Sequence, residues 1–153
     1  MKGNDGSGNI PERDTWETPQ KLWDELNKQY EFTFDCCASN GNNKCSVFST
    51  DFEGNSSISR VAWMNPPFSL AERMFKHFFK VVDWGVAIYR CDNLETALWQ
   101  EVILKNADWI FIPKGRISYE GKEGTGSRFP SALIGIGVDK PNLINGFTLK
   151  VLK

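Results

Sequence analysis

Short apolar runs alternating with helix-period stretches predict an α/β domain whose mainly parallel, twisted, doubly wound sheet is flanked by helices. Three observations carry that expectation. RVAWM at 60–64, GVAIYR at 85–90 and WIFIP at 109–113 are apolar over most of their length, as strands covered on both faces must be. The stretches that follow the first two repeat apolar residues at three- and four-residue spacing. Two strands close on polar residues, Asp35 and Asn65, at the carboxyl ends where such sheets bind ligands.

Residues 1–13 (MKGNDGSGNIPER) are polar and glycine-rich and read as a flexible N-terminal arm ahead of one domain spanning 14–153. Thr18-Pro19 reads as N-cap and first position of a helix reaching about Tyr30, with Leu22 and Leu26 on one face. EFTFD at 31–35 alternates as a strand and ends in an acid. Residues 39–57 read as loop with a short strand at Val47–Phe48. The buried strand RVAWM then meets the corner Asn65-Pro66-Pro67-Phe68. Its prolines set their own φ and restrict the residues before them, so the corner is stiff. It loses two backbone donors and keeps every carbonyl, a balance suited to holding an amino group. Ser69 and Glu72 have capping-box spacing, and Met74, Phe75, Phe78, Phe79 and Val82 form the apolar stripe of the helix they open. GVAIYR, a helix over 94–105, and strands at 109–113, 131–138 and 147–152 complete the order. KGRISYEGKEGTGSRFP, 114–130, reads as a mobile loop.

The 153 residues, 41% hydrophobic and 24% charged, suit a single globular domain with a sizeable core. A net charge of -1 excludes a global electrostatic pull on nucleic acid, so any such contact must come from a local basic patch. Lys114, Arg116, Lys122 and Arg128 on the loop, with Arg90 at a strand end, are the candidates. No run approaches the ~18 apolar residues of a membrane span and no signal peptide opens the chain, so a cytoplasmic protein is expected. Cys36, Cys37, Cys45 and Cys91 form no Cys-x-x-Cys pair and His77 is the single histidine, which argues for reduced thiols and against zinc. His77 reads as an ordinary helix residue, and Trp16, Trp63, Trp84, Trp99 and Trp109 as packing.

The ordered segments Trp16-Glu17-Thr18-Pro19, Phe34-Asp35-Cys36-Cys37-Ala38-Ser39 and Asn65-Pro66-Pro67-Phe68 together resemble the phage-type DNA N-6-adenine methyltransferases. The similarity continues through Glu95-Thr96 with Trp99, Gly115-Arg116-Ile117 and Phe129-Pro130-Ser131-Ala132, covering about residues 14 to 138. Asn-Pro-Pro-Phe alone marks amino-group methyltransferases generally; its order with the other segments narrows the family. The resemblance implies a compact Rossmann-like methyltransferase fold with some peripheral elements missing. It implies S-adenosylmethionine as methyl donor, double-stranded DNA as partner, no metal, and a monomer or weak dimer, in a bacterial host cytoplasm if phage-encoded.

Residue by residue, the resemblance makes Asn65, Pro66, Pro67 and Phe68 the catalytic corner. The Asn65 side chain and a Pro66 carbonyl would accept from the amino group of a flipped adenine, and Phe68 would stack on it. Thr18 and Pro19 would meet the donor's carboxylate, Asp35 its ammonium, and Cys36, Cys37 and Ala38 would admit its methionine part. Asp51 and Phe52 would meet its adenine. Two departures stand out. The stretch from Asp35 to Asp51 is too short for the helix and acid-ended strand that grip the donor ribose, and no GxGxxG-like loop is present. Other readings stay open: the same chemistry on cytosine N4, RNA adenine or protein glutamine, or a non-catalytic nucleic-acid-binding relic of the fold.

Overall fold

The computed structural model describes residues 17–38, 42–121 and 124–150. The expected arm at 1–13, together with Trp16, Ser39 and Lys122, lies outside them.

Helix α1 spans Gln20–Tyr30 and buries Trp23, Leu26 and Tyr30, residues at three- and four-residue spacing. It ends where Glu31 turns left-handed (φ 54°) and donates its N–H to the Asn27 carbonyl. The Tyr30 hydroxyl donates to the Asp139 carbonyl at 2.6 Å, tying the helix to a distant loop. The N-terminus differs from expectation. Pro19 is the cap, the helix starts at Gln20, and no side chain caps it. After β1 (Phe34–Asp35) and a 3-10 turn at Phe52–Gly54 come β2 (Ile58–Met64), a second 3-10 turn (Phe68–Leu70) and α2 (Ala71–Val81). Ser69, expected as the cap of this helix, lies inside the 3-10 turn, and Leu70 stands at the cap position.

Helix α2 buries Ala71, Met74, Phe75, Phe78 and Val81 and runs without a loop into β3 (Val82–Arg90). The helix expected over 94–105 is a π-helix at Leu98–Ile103, closed by an α-turn at Leu104–Asn106. Then follow β4 (Trp109–Pro113), β5 (Ile117–Gly121), β6 (Gly124–Phe129), β7 (Ser131–Ile136) and β8 (Gly146–Lys150). The stretch expected as a mobile loop is thus a β5–β6 hairpin, antiparallel from Ile117↔Phe129 to Gly121↔Gly124.

Six strands form one sheet in the order β1-β2-β3-β7-β4-β8. Neighbours β1, β2 and β3 are parallel. The other three pairings are antiparallel. The expected mainly parallel sheet therefore holds for one half and fails for the other. The reason is connectivity: a helical segment follows each of β2 and β3, whereas no helix intervenes between β4 and β7 or between β7 and β8. Because β7 opposes both its neighbours, β4 points the same way as β1–β3. Asp35, Met64, Arg90 and Pro113 thus end four strands on one edge of the sheet.

The pleat sends alternate residues to opposite faces. Ala62, Met64, Ala87, Tyr89, Ile110, Ala132 and Ile134 meet α2 and the π-helix. Trp63, Val86, Ile88, Trp109, Phe111 and Leu133 meet α1. Both faces are covered, which is why these strands read as unbroken apolar runs. Phe68 packs against both clusters, at the corner where they meet.

Gly135 lies opposite Trp109 across the β4–β7 ladder, and a Cβ there would fall inside the indole. The indole is held by a 2.8 Å bond from Nε1 to the Val138 carbonyl and cannot swing clear. Gly135→Ala is expected to destabilise the fold by about 1–3 kcal/mol. Urea denaturation measures it, and an unshifted midpoint would show that the indole repacks freely.

Candidate active site

The site begins with a very short strand. β1 is two residues long, yet both its edges are bonded: Cys36 donates to the Trp63 carbonyl at 2.9 Å, and Asp35 to the Val47 carbonyl at 3.0 Å. Ser49 returns a bond to the Asp35 carbonyl at 2.9 Å, and Ala38 donates to Ser49 at 3.0 Å. The strand expected at Val47–Phe48 is present as a parallel bridge between Asp35 and Phe48. These bonds lay Cys36-Cys37-Ala38 beside Ser49, just ahead of the turn that carries Asp51 and Phe52.

Two cavities open there. The larger, about 410 Å³, is lined by Cys36, Cys37, Ala38, Asp51 and Phe52, with Glu53, Pro67, Arg73 and others. Its size falls within the range of small-molecule sites. The smaller, about 50 Å³, is lined by Glu17, Thr18, Asp35, Cys37, Asn42, Lys44, Trp63, Asn65 and Pro67. Cys37, Asn42 and Pro67 line both, so the cavities adjoin. The structure thereby brings together Thr18, Asp35, Cys36, Cys37, Ala38, Asp51, Phe52, Asn65 and Pro67. It sets apart Pro19, which faces a different groove, Pro66, which is buried beneath the corner, and Phe68, which packs beside Tyr89.

Asp35 is 3% exposed. Its Oδ2 accepts from the Lys44 N–H at 2.8 Å and its Oδ1 from the Cys37 N–H at 3.4 Å. Burial pushes the carboxyl up to about 6, and those N–H groups only partly offset the rise. The same burial raises the Cys36 and Cys37 thiols, so neither is a ready nucleophile. The Thr18 hydroxyl is 1% exposed and, among the described residues, bonds to nothing. A buried hydroxyl without a partner at the lip of a cavity is a group waiting for a ligand or water.

Several lining residues carried no signal in the sequence. Lys44 and Asn42 sit in a loop with no periodicity, and the Lys44 ammonium donates to the exposed Gln20 side chain at 3.0 Å. Arg73 pairs with Glu53 beside the larger one. His77 does more than fill a helix position. Its Nε2 donates to the Asn55 carbonyl at 2.6 Å, and its ring stands edge-on to Phe52 at 4.8 Å, bracing a cavity wall.

The basic candidates divide. Lys114 and Arg116 are exposed where β4 passes into the hairpin, around Gly115, whose φ of 84° suits glycine. Arg128 pairs through its backbone with Ser118. Arg90 is 5% exposed and its guanidinium grips Asp92. Among the described residues no cluster of His, Cys, Asp or Glu could hold a metal, and no helix is long and apolar enough to cross a membrane.

A family model described as DNA N-6-adenine-methyltransferase (Dam) matches residues 7–134. No curated protein matches the chain.

The Asp35 carboxyl has a testable signature. Its folded value, about 6, lies above its ordinary 3.8, so the folded state holds the proton more tightly than the unfolded chain. Ionised Asp35 therefore costs stability above about pH 6, and that cost vanishes as pH falls toward 4. Relative to Asp35→Asn, the wild type should gain up to about 3 kcal/mol between pH 7 and 4. Urea titrations of both proteins across that window check it; a constant difference would refute the raised carboxyl.

Proposed function

The chain belongs to the DNA N-6-adenine-methyltransferase family, and from that premise we propose that it methylates the N6 amino group of adenine in DNA with S-adenosylmethionine as donor. The observation that carries this reading is the meeting of the β1 end and the β2 end around adjoining cavities, Asp35 and Cys36–Ala38 on one side, Asn65 and Pro67 on the other.

The residues present fit the donor. Asp35 is held toward neutrality by burial, and an ammonium beside it would restore its charge. Thr18 offers to a carboxylate a hydroxyl that has no partner among the described residues. Cys37 and Ala38 are small enough to let the donor's methionine chain pass, and Asp51 with Phe52 lines the larger cavity, where a nucleoside base would sit. Bound there, the donor supplies an electrophilic sulfonium methyl.

The corner supplies the acceptors. Adenine's amino nitrogen is a weak nucleophile because its lone pair is spread into the ring. The Asn65 carboxamide oxygen and the Pro66 carbonyl take its two N–H bonds and localise the pair on nitrogen. The prolines hold both acceptors still, so little reorganisation accompanies the step. The base must leave the duplex to reach them. The smaller cavity, about 50 Å³, is too tight for a purine, so it widens on entry. Lys114 and Arg116, at the same edge of the sheet, steer the phosphates. Arg128, on β6, and Lys122, outside the described residues, are further candidates; Arg90 is left out because its guanidinium is buried and paired.

Asn65→Ala is expected to lower methyl transfer at least about a hundredfold while donor affinity and fold persist. A tritium-transfer assay on plasmid DNA reads the first and calorimetry the second; full turnover would dislodge Asn65 from the acceptor role. Phe68→Ala should slow transfer on duplex DNA about tenfold or more, with less effect on donor binding. An unaltered duplex rate would argue against stacking on the base. The same assay on RNA and on total protein tests the alternative acceptors.

A further inference from the structure

Arg90, Asp92, Tyr89 and Phe68 form a cluster outside both cavities. The motif segments around Thr96, Trp99 and Pro130, which the proposed chemistry leaves unused, converge on it, and Arg116 lies near. The Trp99 indole donates to the Arg90 carbonyl at 3.1 Å, and the Cys91 N–H to the Pro130 carbonyl at 2.9 Å. The Thr96 hydroxyl closes the intervening turn onto the Asn93 carbonyl at 2.9 Å. Arg116 adds positive charge near Asp92. The main chain at Arg90 is thus pinned from two sides.

The side chain is pinned too. Its Nε and Nη2 donate to the two carboxylate oxygens of Asp92 at 2.7 and 2.6 Å, a planar fork that Lys could not reproduce. Its Cζ then lies over the Phe68 ring, 5.7 Å from the centroid. Tyr89 meets the same ring edge-on at 6.0 Å and 89°.

We propose that Arg90 is a positioning residue that holds the Phe68 ring in place for the target base, and that it does not contact DNA phosphate. This rests on the reading that Phe68 meets the base. A phosphate contact would require the guanidinium, itself buried, to abandon the Asp92 carboxylate that pairs it. A desolvated cation over an aromatic face, by contrast, fixes the ring before substrate arrives, so less side-chain freedom is lost on binding.

The test uses Arg90→Met and Arg90→Lys in the full chain, with 2-aminopurine replacing an adenine that sequencing shows to be methylated by the wild type. Arg90→Met should lower single-turnover transfer about tenfold or more and weaken the 2-aminopurine signal. Donor affinity and the slope of log DNA affinity against log salt should stay unchanged. Arg90→Lys, which keeps charge over the ring, should recover part of the loss. A salt slope shallower by about 0.9 in Arg90→Met would reveal a phosphate contact and overturn the proposal. So would unaltered transfer and fluorescence in a folded Arg90→Met. Should that variant fail to fold, Asp92→Asn, altered at a more exposed position, must still lower both readouts, and no change there sinks the idea. A wild type that transfers no methyl group to DNA would instead defeat the underlying methyltransferase reading.

Discussion

The candidate site depends on a two-residue strand. β1 survives because it is bonded on one edge to β2 and on the other to residues 47–49, so its shortness costs no unpaired backbone at either side. The parallel register Asp35↔Trp63 places the acid level with Trp63, two residues before the corner begins at Asn65. A slip of one residue would send Asp35 to the other face of the pleat and separate it from the cavity. Short strands are easily displaced, and this one is fixed from both sides.

The second constraint is the corner that follows β2. Its prolines cannot donate to a ladder, so the strand stops, the chain turns, and a 3-10 turn leads into α2. Pro67 lines both cavities and Phe68 touches both cores, so the turn joins the two faces of the sheet at the place where the chemistry is proposed. His77 from α2 and Trp99 from the π-helix then brace what the corner exposes, one through Phe52 and the other through the Arg90 main chain. A stiff site needs such props, because stacking and amino-group capture act through fixed acceptors and faces.

The family and the corner were legible because they are local. Asn65-Pro66-Pro67-Phe68 restricts its own backbone, and WIFIP at 109–113 proved a strand over the whole expected range. The antiparallel half of the sheet was not legible, since direction depends on which strand β7 chooses to sit between, a partnership between residues far apart in sequence. The hairpin at 117–129 escaped notice for a related reason. Its glycine-rich centre lacks the alternation that marks a strand, and its pairing shifts register between Ser118 and Glu120. Thr18 and Ser69 carried correct capping chemistry, but Pro19 and a 3-10 turn took the cap positions, and local propensity yielded to the chain's path.

By itself the sequence determined the alternation of strand and helix in its first two thirds, the stiffness of the corner and its surplus of acceptors, because these follow from residue type and short-range sterics. The tertiary structure alone decided that burial raises the Asp35 carboxyl, that Thr18 has no partner among the described residues, and that Arg90 turns inward to Asp92 and Phe68. Burial and pairing are properties of what surrounds a group, and those surroundings are assembled from segments that only folding brings together.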